Sequence, residues 1–431
     1  MEWHKLKIAK NWIWLSFSLS VFIFPLFPAL GALSLVAIML KIWQSNFQVI
    51  IISHLNQALA IIASLLIFSS ILAQYSTDAW LGLANFLPFF ALFIAFRYLI
   101  TTLDRLKQLS WLLILPSLPI VILGLGQIYA HWNSPALISN ILGWGLVAGG
   151  IPPGRMSSVF IYTNFLAIYL AIAFTLTAGL LLETWQSETQ KSSRKLKTII
   201  LLSIILIADI SGLILTSSRN AWGLAVFSFV AYALYLGWRW LVWGMFGAAS
   251  VVFWASFVPN FGGTQLRQVV PAFIWQRLSD QIYERPVETL RLTQWQFCWS
   301  LIKERPWFGW GLRNFTPLYE AKTNYWFGHP HSLFLMLGAE TGIMATGLLI
   351  VVIGLIMVQA VVLLENWSAK DSKLIFFSYA IAFTNLILFN LADVTIFDLR
   401  INTIAWIILA AISGITTKQA ANMAAIADEM V

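Results

Sequence analysis

Residues 342–363 read GIMATGLLIVVIGLIMVQAVVL, without one ionisable side chain. In hydrocarbon the backbone N–H and C=O groups have no water to bond, so a run of this length is held as a helix that satisfies itself. The apolar stretch around it extends over 331–363, and the pattern recurs. Further stretches fall at 12–28, 29–43, 49–73, 81–100, 109–131, 159–182, 198–216, 219–236, 240–258, 374–390 and 401–416. The chain has 431 residues, of which 59% are hydrophobic and 10% charged; a soluble domain has roughly 45–50% and 25%. A soluble fold is excluded. The spacing predicts an all-α polytopic membrane helix bundle of about 12 transmembrane helices, which at about 20 residues each leaves room for one large loop.

The organisation follows from that pattern. Residues 1–150 carry helices 1–5, 151–258 helices 6–9, 259–330 a loop domain, 331–416 helices 10–12, and 417–431 a tail. Lys5, Lys7 and Lys10 precede the first apolar run, and no small-residue cleavage pattern follows it, so it reads as an uncleaved span rather than a signal peptide.

Cations set the orientation, because Lys and Arg gather on the cytoplasmic side. With the N-terminus inside, the cytoplasmic segments hold Lys5, Lys7, Lys10, Lys41, Arg97, Arg105, Lys107, Lys191, Arg194, Lys195, Lys197, Arg239, Lys370, Lys373 and Lys418. The short outer segments hold only Arg155, Arg219 and Arg400. Both termini are therefore expected in the cytoplasm and the 259–330 loop in the periplasm, with the protein multi-pass in the inner membrane.

Several function classes drop out. The net charge of +8 is accounted for by topology, so nucleic acid is not an expected partner. No inner loop is long enough for a nucleotide-binding domain, and no Walker or Rossmann glycine pattern occurs. Cys298 is the single cysteine and histidines number five, too few for a thiolate cluster or a histidine cage. No metal and no cofactor is expected.

Three groups of residues stand out. Arg219 lies in Thr216-Ser217-Ser218-Arg219, a tight turn between two spans, and Arg155 in Pro153-Gly154-Arg155-Met156-Ser157-Ser158. Each is a snorkelling anchor or a guanidinium fork for anionic oxygens, a task Arg suits because it is planar, permanently charged and bidentate. In the long loop, Arg291 and Trp295 stand four apart on one helix face. The Pro306-x-x-Gly309-x-Gly311 turn follows, with Trp307, Phe308 and Trp310 able to stack on sugar rings or sit in an interfacial belt. Third comes Gly328-His329-Pro330-His331-Ser332. Pro330 and His331 read as a first helical turn, and His331 is either a polar cap or a group suited to proton transfer near neutral pH. Glu340, nine residues on, falls on the opposite face about 13 Å deeper, which rejects a His331–Glu340 dyad. Glu340 and the intramembrane Asp209 are expected to satisfy neighbouring donors in the bundle.

Taken together, Thr-Ser-Ser-Arg219, Arg291-x-x-x-Trp295, Pro306-x-x-Gly309-x-Gly311, His331-Ser332-x-x-Leu335 and Glu340-x-Gly342 resemble the O-antigen ligase and O-antigen polymerase family over roughly residues 150–360. The resemblance implies a GT-C-like, metal-independent membrane glycosyltransferase. It would move a saccharide from a polyprenyl diphosphate to an acceptor hydroxyl on a glycan, glycolipid or protein. Carried over residue by residue, Arg219 and Arg291 would hold the diphosphate and His331 would act as base or position the acceptor. Arg155, Trp295, Trp310 and Ser332 would line the substrate site. The second half of the chain is also similar to cyanobacterial membrane proteins described as inorganic-carbon (bicarbonate) transporters, which carry the same signature. A transporter should place its polar groups near the bilayer midplane. The motif residues here lie at the outer face, which favours the enzyme.

Overall fold

The computed structural model describes residues 11–187, 192–279, 286–367 and 373–429; Lys5, Lys7, Lys10, Lys191, Lys370, Glu284 and Arg285 lie outside them. The helices are α1 (Asn11–Ile23), α2 (Pro28–Ile52), α3 (His54–Ile71), α4 (Ser76–Gly82), α5 (Leu87–Leu99), α6 (Leu103–Ile114), α7 (Ser117–Tyr129), α8 (Ala136–Leu142), α9 (Thr163–Gln186), α10 (Ser192–Thr216), α11 (Arg219–Tyr235) and α12 (Arg239–Phe257). The long loop follows with α13 (Thr264–Leu266), α14 (Ala272–Ser279), α15 (Arg291–Glu304) and α16 (Phe315–Thr323), and the chain closes with α17 (Leu333–Asn366), α18 (Lys373–Leu391) and α19 (Leu399–Glu429). Among the described residues there are 10 helical segments long and apolar enough to cross a membrane, and the protein is a polytopic membrane helix bundle.

The expected twelve spans correspond to these ten and two shorter helices. α1 has 13 residues and α11 has 17, about 20 and 26 Å at 1.5 Å per residue, short of the roughly 30 Å hydrocarbon thickness. Apolar composition marked both, but composition does not report where a helix stops. The segment expected as a tail after residue 416 is helical as far as Glu429, continuing α19.

Helices α9, α18 and α19 form the buried centre. α9 packs on α10 and α18, and α19 lies against α5 and α17. Buried hydroxyls and amides tie them where hydrophobicity cannot, because lipid is as apolar as leucine. Thr175 and Ser228 bond at 2.9 Å, and the Asn385 amide donates to both, at 3.1 and 2.8 Å, linking α9, α11 and α18. Asp209 accepts from the Thr177 hydroxyl at 3.5 Å, the bundle role expected of it.

Two sequence motifs build a clasp between the loop and α17. The Trp310 N–H donates to the Ala339 carbonyl at 3.0 Å, Gly311 to Glu340 at 2.7 Å, and Ile343 to Pro306 at 2.7 Å. Gly309 (φ +67°) and Gly342 (φ +76°) sit where a Cβ would run into the Glu340 and Trp307 backbones, respectively. The glycines are needed for this close approach and for left-handed φ. The Glu340 carboxylate accepts the Phe315 N–H at 3.1 Å, so Glu340 does meet a neighbouring donor. Gly342 (φ 76°, ψ 172°) breaks α17, and everything before it is an arm held by the loop.

Candidate functional site

The polar cluster lies on the side that carries the long loop. Its pivot is Asp393, in the linker between α18 and α19. The carboxylate Oδ1 faces His331 Nδ1 at 3.4 Å and His329 Nε2 at 3.8 Å. It also accepts the Val394 N–H at 2.9 Å, and Oδ2 accepts from the Asn164 amide at 2.5 Å. Asn164 in turn accepts from Arg155 Nη2 at 3.1 Å, and Arg155 Nε donates to the Thr216 carbonyl at 2.8 Å. One bonded path therefore runs from His331 to the turn that carries Arg219.

That turn gathers arginines. Arg219 Nη1 donates to the Arg277 carbonyl at 3.1 Å and to Leu278 at 3.5 Å, while Arg277 Nε donates to the Ser217 carbonyl at 3.3 Å. Ser217 is left-handed (φ 49°), an uncommon geometry for a non-glycine residue that lets the chain leave α10 and start α11 at Arg219. Burial, then the nearby charge of Arg277, push the Arg155 pKa down to about 10.

His331 does not form the first helical turn expected of it. Its φ is +54°, outside the helical region, and α17 starts after the buried Ser332, whose carbonyl accepts the Met336 N–H at 3.0 Å. The left-handed turn has a purpose: the His331 N–H donates to His329 Nδ1 at 3.2 Å and the His331 ring meets Asp393. Residues held in such conformations cluster at functional sites. Trp295 pins the segment, its indole N–H donating to the Pro330 carbonyl at 2.9 Å. Burial, outweighing Asp393 and aided by His331 and Arg291, pushes His329 down to about 4, so His329 is neutral at pH 7. Arg291, the exposed first residue of α15, is thus within electrostatic reach. Burial raises the Asp393 carboxyl, but the His331 hydrogen bond and both imidazoles outweigh it and hold the group below its ordinary value.

Trp310 is placed differently. Its indole N–H donates to the Leu301 carbonyl at 3.1 Å and Arg305 stacks on its ring at 4.0 Å, contacts that belong to the clasp. Arg400, the third short-segment arginine, pairs with Asp398 at 3.2 Å. Cys298 is buried and its thiol pushed up by that burial, which makes it inert.

His329, His331 and Asp393 bring one potential metal-ligand atom each within 4.8 Å of one another, a cluster the sequence did not announce. The hydrogen bonds decide how it stands here. His329 Nδ1 accepts a backbone N–H, so the neutral ring carries its proton on Nε2, the atom turned toward Asp393 at 3.8 Å, and offers no lone pair there. His331 Nδ1–H toward Asp393 leaves its Nε2 lone pair available. The arrangement is an imidazole oriented by a carboxylate beside a bank of guanidinium groups, able to take a proton and to hold an anion.

Asp393, Asn164, Arg277 and His329 had no assigned role from sequence. Asp393 carried a usable signal, being an acidic residue in a short linker on the side where Arg155 and Arg219 had drawn notice.

The polar cluster thus sits at one end of a multi-span helical bundle. Residues 200–350 match the family model described as O-antigen ligase, a stretch that includes the motifs from Arg219 to Gly342. The match includes Arg219, Arg277, Arg291, Trp295, His329 and His331, while Arg155, Asn164 and Asp393 lie outside it. No curated protein matches the chain.

Proposed function

We propose that the protein transfers a saccharide from a polyprenyl diphosphate to an acceptor hydroxyl at the periplasmic face of the inner membrane, without a metal ion. The observation that carries this reading is the bonded path through Asp393, which joins His331 to Arg155 and the Arg219 turn. His331 Nε2 takes the proton of the acceptor hydroxyl as its oxygen attacks the anomeric carbon. The bond from that carbon to the diphosphate oxygen breaks, and the electron pair leaves with the diphosphate. The proton ends on His331, where Asp393 stabilises the imidazolium. Negative charge accumulates on the leaving group beside Arg219, Arg291 and Arg155, and fixed cations there lower the barrier. Arg219 and Arg291 also stand at the first residues of α11 and α15, helix ends that favour anions.

The test is transfer by purified protein from a polyprenyl-diphosphate saccharide to candidate acceptors. Arg219→Ala and Arg291→Ala should each lower the rate by about 10²–10³, and His331→Ala should lower turnover by about 10²–10⁴ while donor binding persists. Full activity after chelation with EDTA is expected. Unaltered transfer by the arginine variants refutes their roles, and saturable bicarbonate flux in proteoliposomes lacking lipid donor would favour transport instead.

A further inference from the structure

The two histidines and Asp393 can do a second thing with the same atoms. His329 Nε2 and His331 Nδ1 both turn toward Asp393 Oδ1, at 3.8 and 3.4 Å, and one donor atom from each residue lies within 4.8 Å of the others. Around a tetrahedral zinc ion with bonds of about 2.0–2.2 Å, neighbouring ligand atoms stand about 3.3–3.6 Å apart. Two edges of the triangle are near that length already, and the third closes with a shift of about 1 Å. Two imidazoles and one carboxylate suit zinc and its transition-metal neighbours, whereas Mg²⁺ and Ca²⁺ prefer shells made only of oxygen.

The surroundings favour such a set. Asp393 presents Oδ1 to the rings while its Oδ2 accepts from the Asn164 amide at 2.5 Å, an outer contact of the kind that orients metal-binding carboxylates. The His329 ring stacks on Phe397, and Trp295 holds the Pro330 carbonyl between the two histidines. The imidazoles keep 19% and 22% exposure against 5% for the carboxylate, so an ion can arrive from water and keep a water or an anion as its fourth ligand. No proton has to leave. The His329 proton moves from Nε2 to Nδ1, and the His331 proton from Nδ1 to Nε2. Hydrogen bonds of 3.2 and 3.4 Å are lost, and three metal–ligand bonds form. Arg155 and Arg291, which act electrostatically on Asp393 and His329, oppose a dication, so the site suits reversible capture rather than permanent retention.

We propose that His329, His331 and Asp393 form an inhibitory site for Zn²⁺ and related transition-metal ions. Metal binding stands on the geometry alone, and the inhibition rests on the transfer reading above. A His331 bound through Nδ1 carries its proton on Nε2, the atom that takes the acceptor proton in that reading, and it loses the carboxylate that stabilises its charged form. The captured ion contributes nothing to transfer, in keeping with full activity in EDTA.

The test uses the full chain in detergent, freed of any purification tag, with Co²⁺ as a visible probe for the zinc site. One Co²⁺ per chain should bind with the absorption of a four-coordinate nitrogen and oxygen site, and Zn²⁺ should displace it. His329→Asn and Asp393→Asn should each weaken binding by at least about tenfold. In transfer assays Zn²⁺ should inhibit more strongly than Co²⁺, and Co²⁺ more strongly than Mn²⁺, following ligand affinity. Mg²⁺ at the same concentration should leave the rate unchanged, and EDTA should restore it after Zn²⁺. Referred to its own metal-free rate, His329→Asn should need at least about tenfold more Zn²⁺ for half-inhibition. Wild-type Co²⁺ affinity in both variants overturns the proposal. So does equal inhibition of His329→Asn and the wild type, which would place the metal on the donor diphosphate. If the wild type transfers nothing, the transfer reading falls while the Co²⁺ titration still decides the metal site.

Discussion

Arg400 and Arg155 stand on the same side of the bundle, and the sequence marks both as cations on the side where cations are sparse. The structure treats them oppositely. Arg400 is 4% exposed and holds Asp398 at 3.2 Å, the Val159 carbonyl at 2.9 Å and the face of Phe160 at 4.1 Å. Arg155 is bonded to a carbonyl and an amide oxygen, and after burial the strongest influence on it is another guanidinium, Arg277. A cation matched with its own carboxylate fastens the fold. Arg155 instead stands beside the like charges of Arg277 and Arg219, and the proposed anion site rests on that grouping.

Breaking each side of this contrast separates the two roles. Arg400→Ala leaves Asp398 buried without its partner, which should cost about 3–5 kcal/mol and lower the thermal unfolding midpoint in detergent. Arg155→Ala removes two hydrogen bonds but also relieves like-charge repulsion, so a smaller loss of about 1–2 kcal/mol is expected, accompanied by weaker donor binding in equilibrium titration. Similar destabilisation by both variants would erase the distinction.

Asp393→Asn sharpens it next. The amide can occupy the same volume, yet it cannot stabilise the His331 imidazolium, so turnover should fall by about 10²-fold with donor affinity little changed. A variant that loses affinity and turnover together would give Asp393 a binding role instead.

The smallest effect concerns pH. His329 has its pKa pushed from 6.5 to about 4, so between those values the folded chain binds fewer protons than the unfolded one, and acid favours unfolding. The unfolding midpoint should drop as pH falls from about 6.5 to about 4, and His329→Asn should flatten that drop. Asp393, held below its ordinary value, adds its own loss only at still lower pH.

The helical bundle was legible because hydrophobicity acts locally. A run such as 342–363 must satisfy its backbone wherever it sits in the membrane, and the neighbours along the chain suffice to say so. Helix ends were less legible, as α1, α11 and the Gly342 break show, because termini depend on what packs against them. Arg219, Arg291, Arg155 and His331 could be singled out from residue type and position. Their assembly could not, since His331 meets Asp393 across 62 residues, Arg277 meets Ser217 across 60, and Asn164 meets Asp393 across 229.

What the sequence determined by itself, then, is the membrane-spanning helical character and the residue types available at each face, both fixed by the transfer energetics of short segments. Only the tertiary structure decided which arginine is held by a carboxylate and which stands beside its like, that His331 adopts a left-handed turn to reach Asp393, and that α17 breaks at Gly342 where the loop clasps it. Those outcomes depend on distances between groups far apart in the chain, and electrostatic and packing energies follow distance in space.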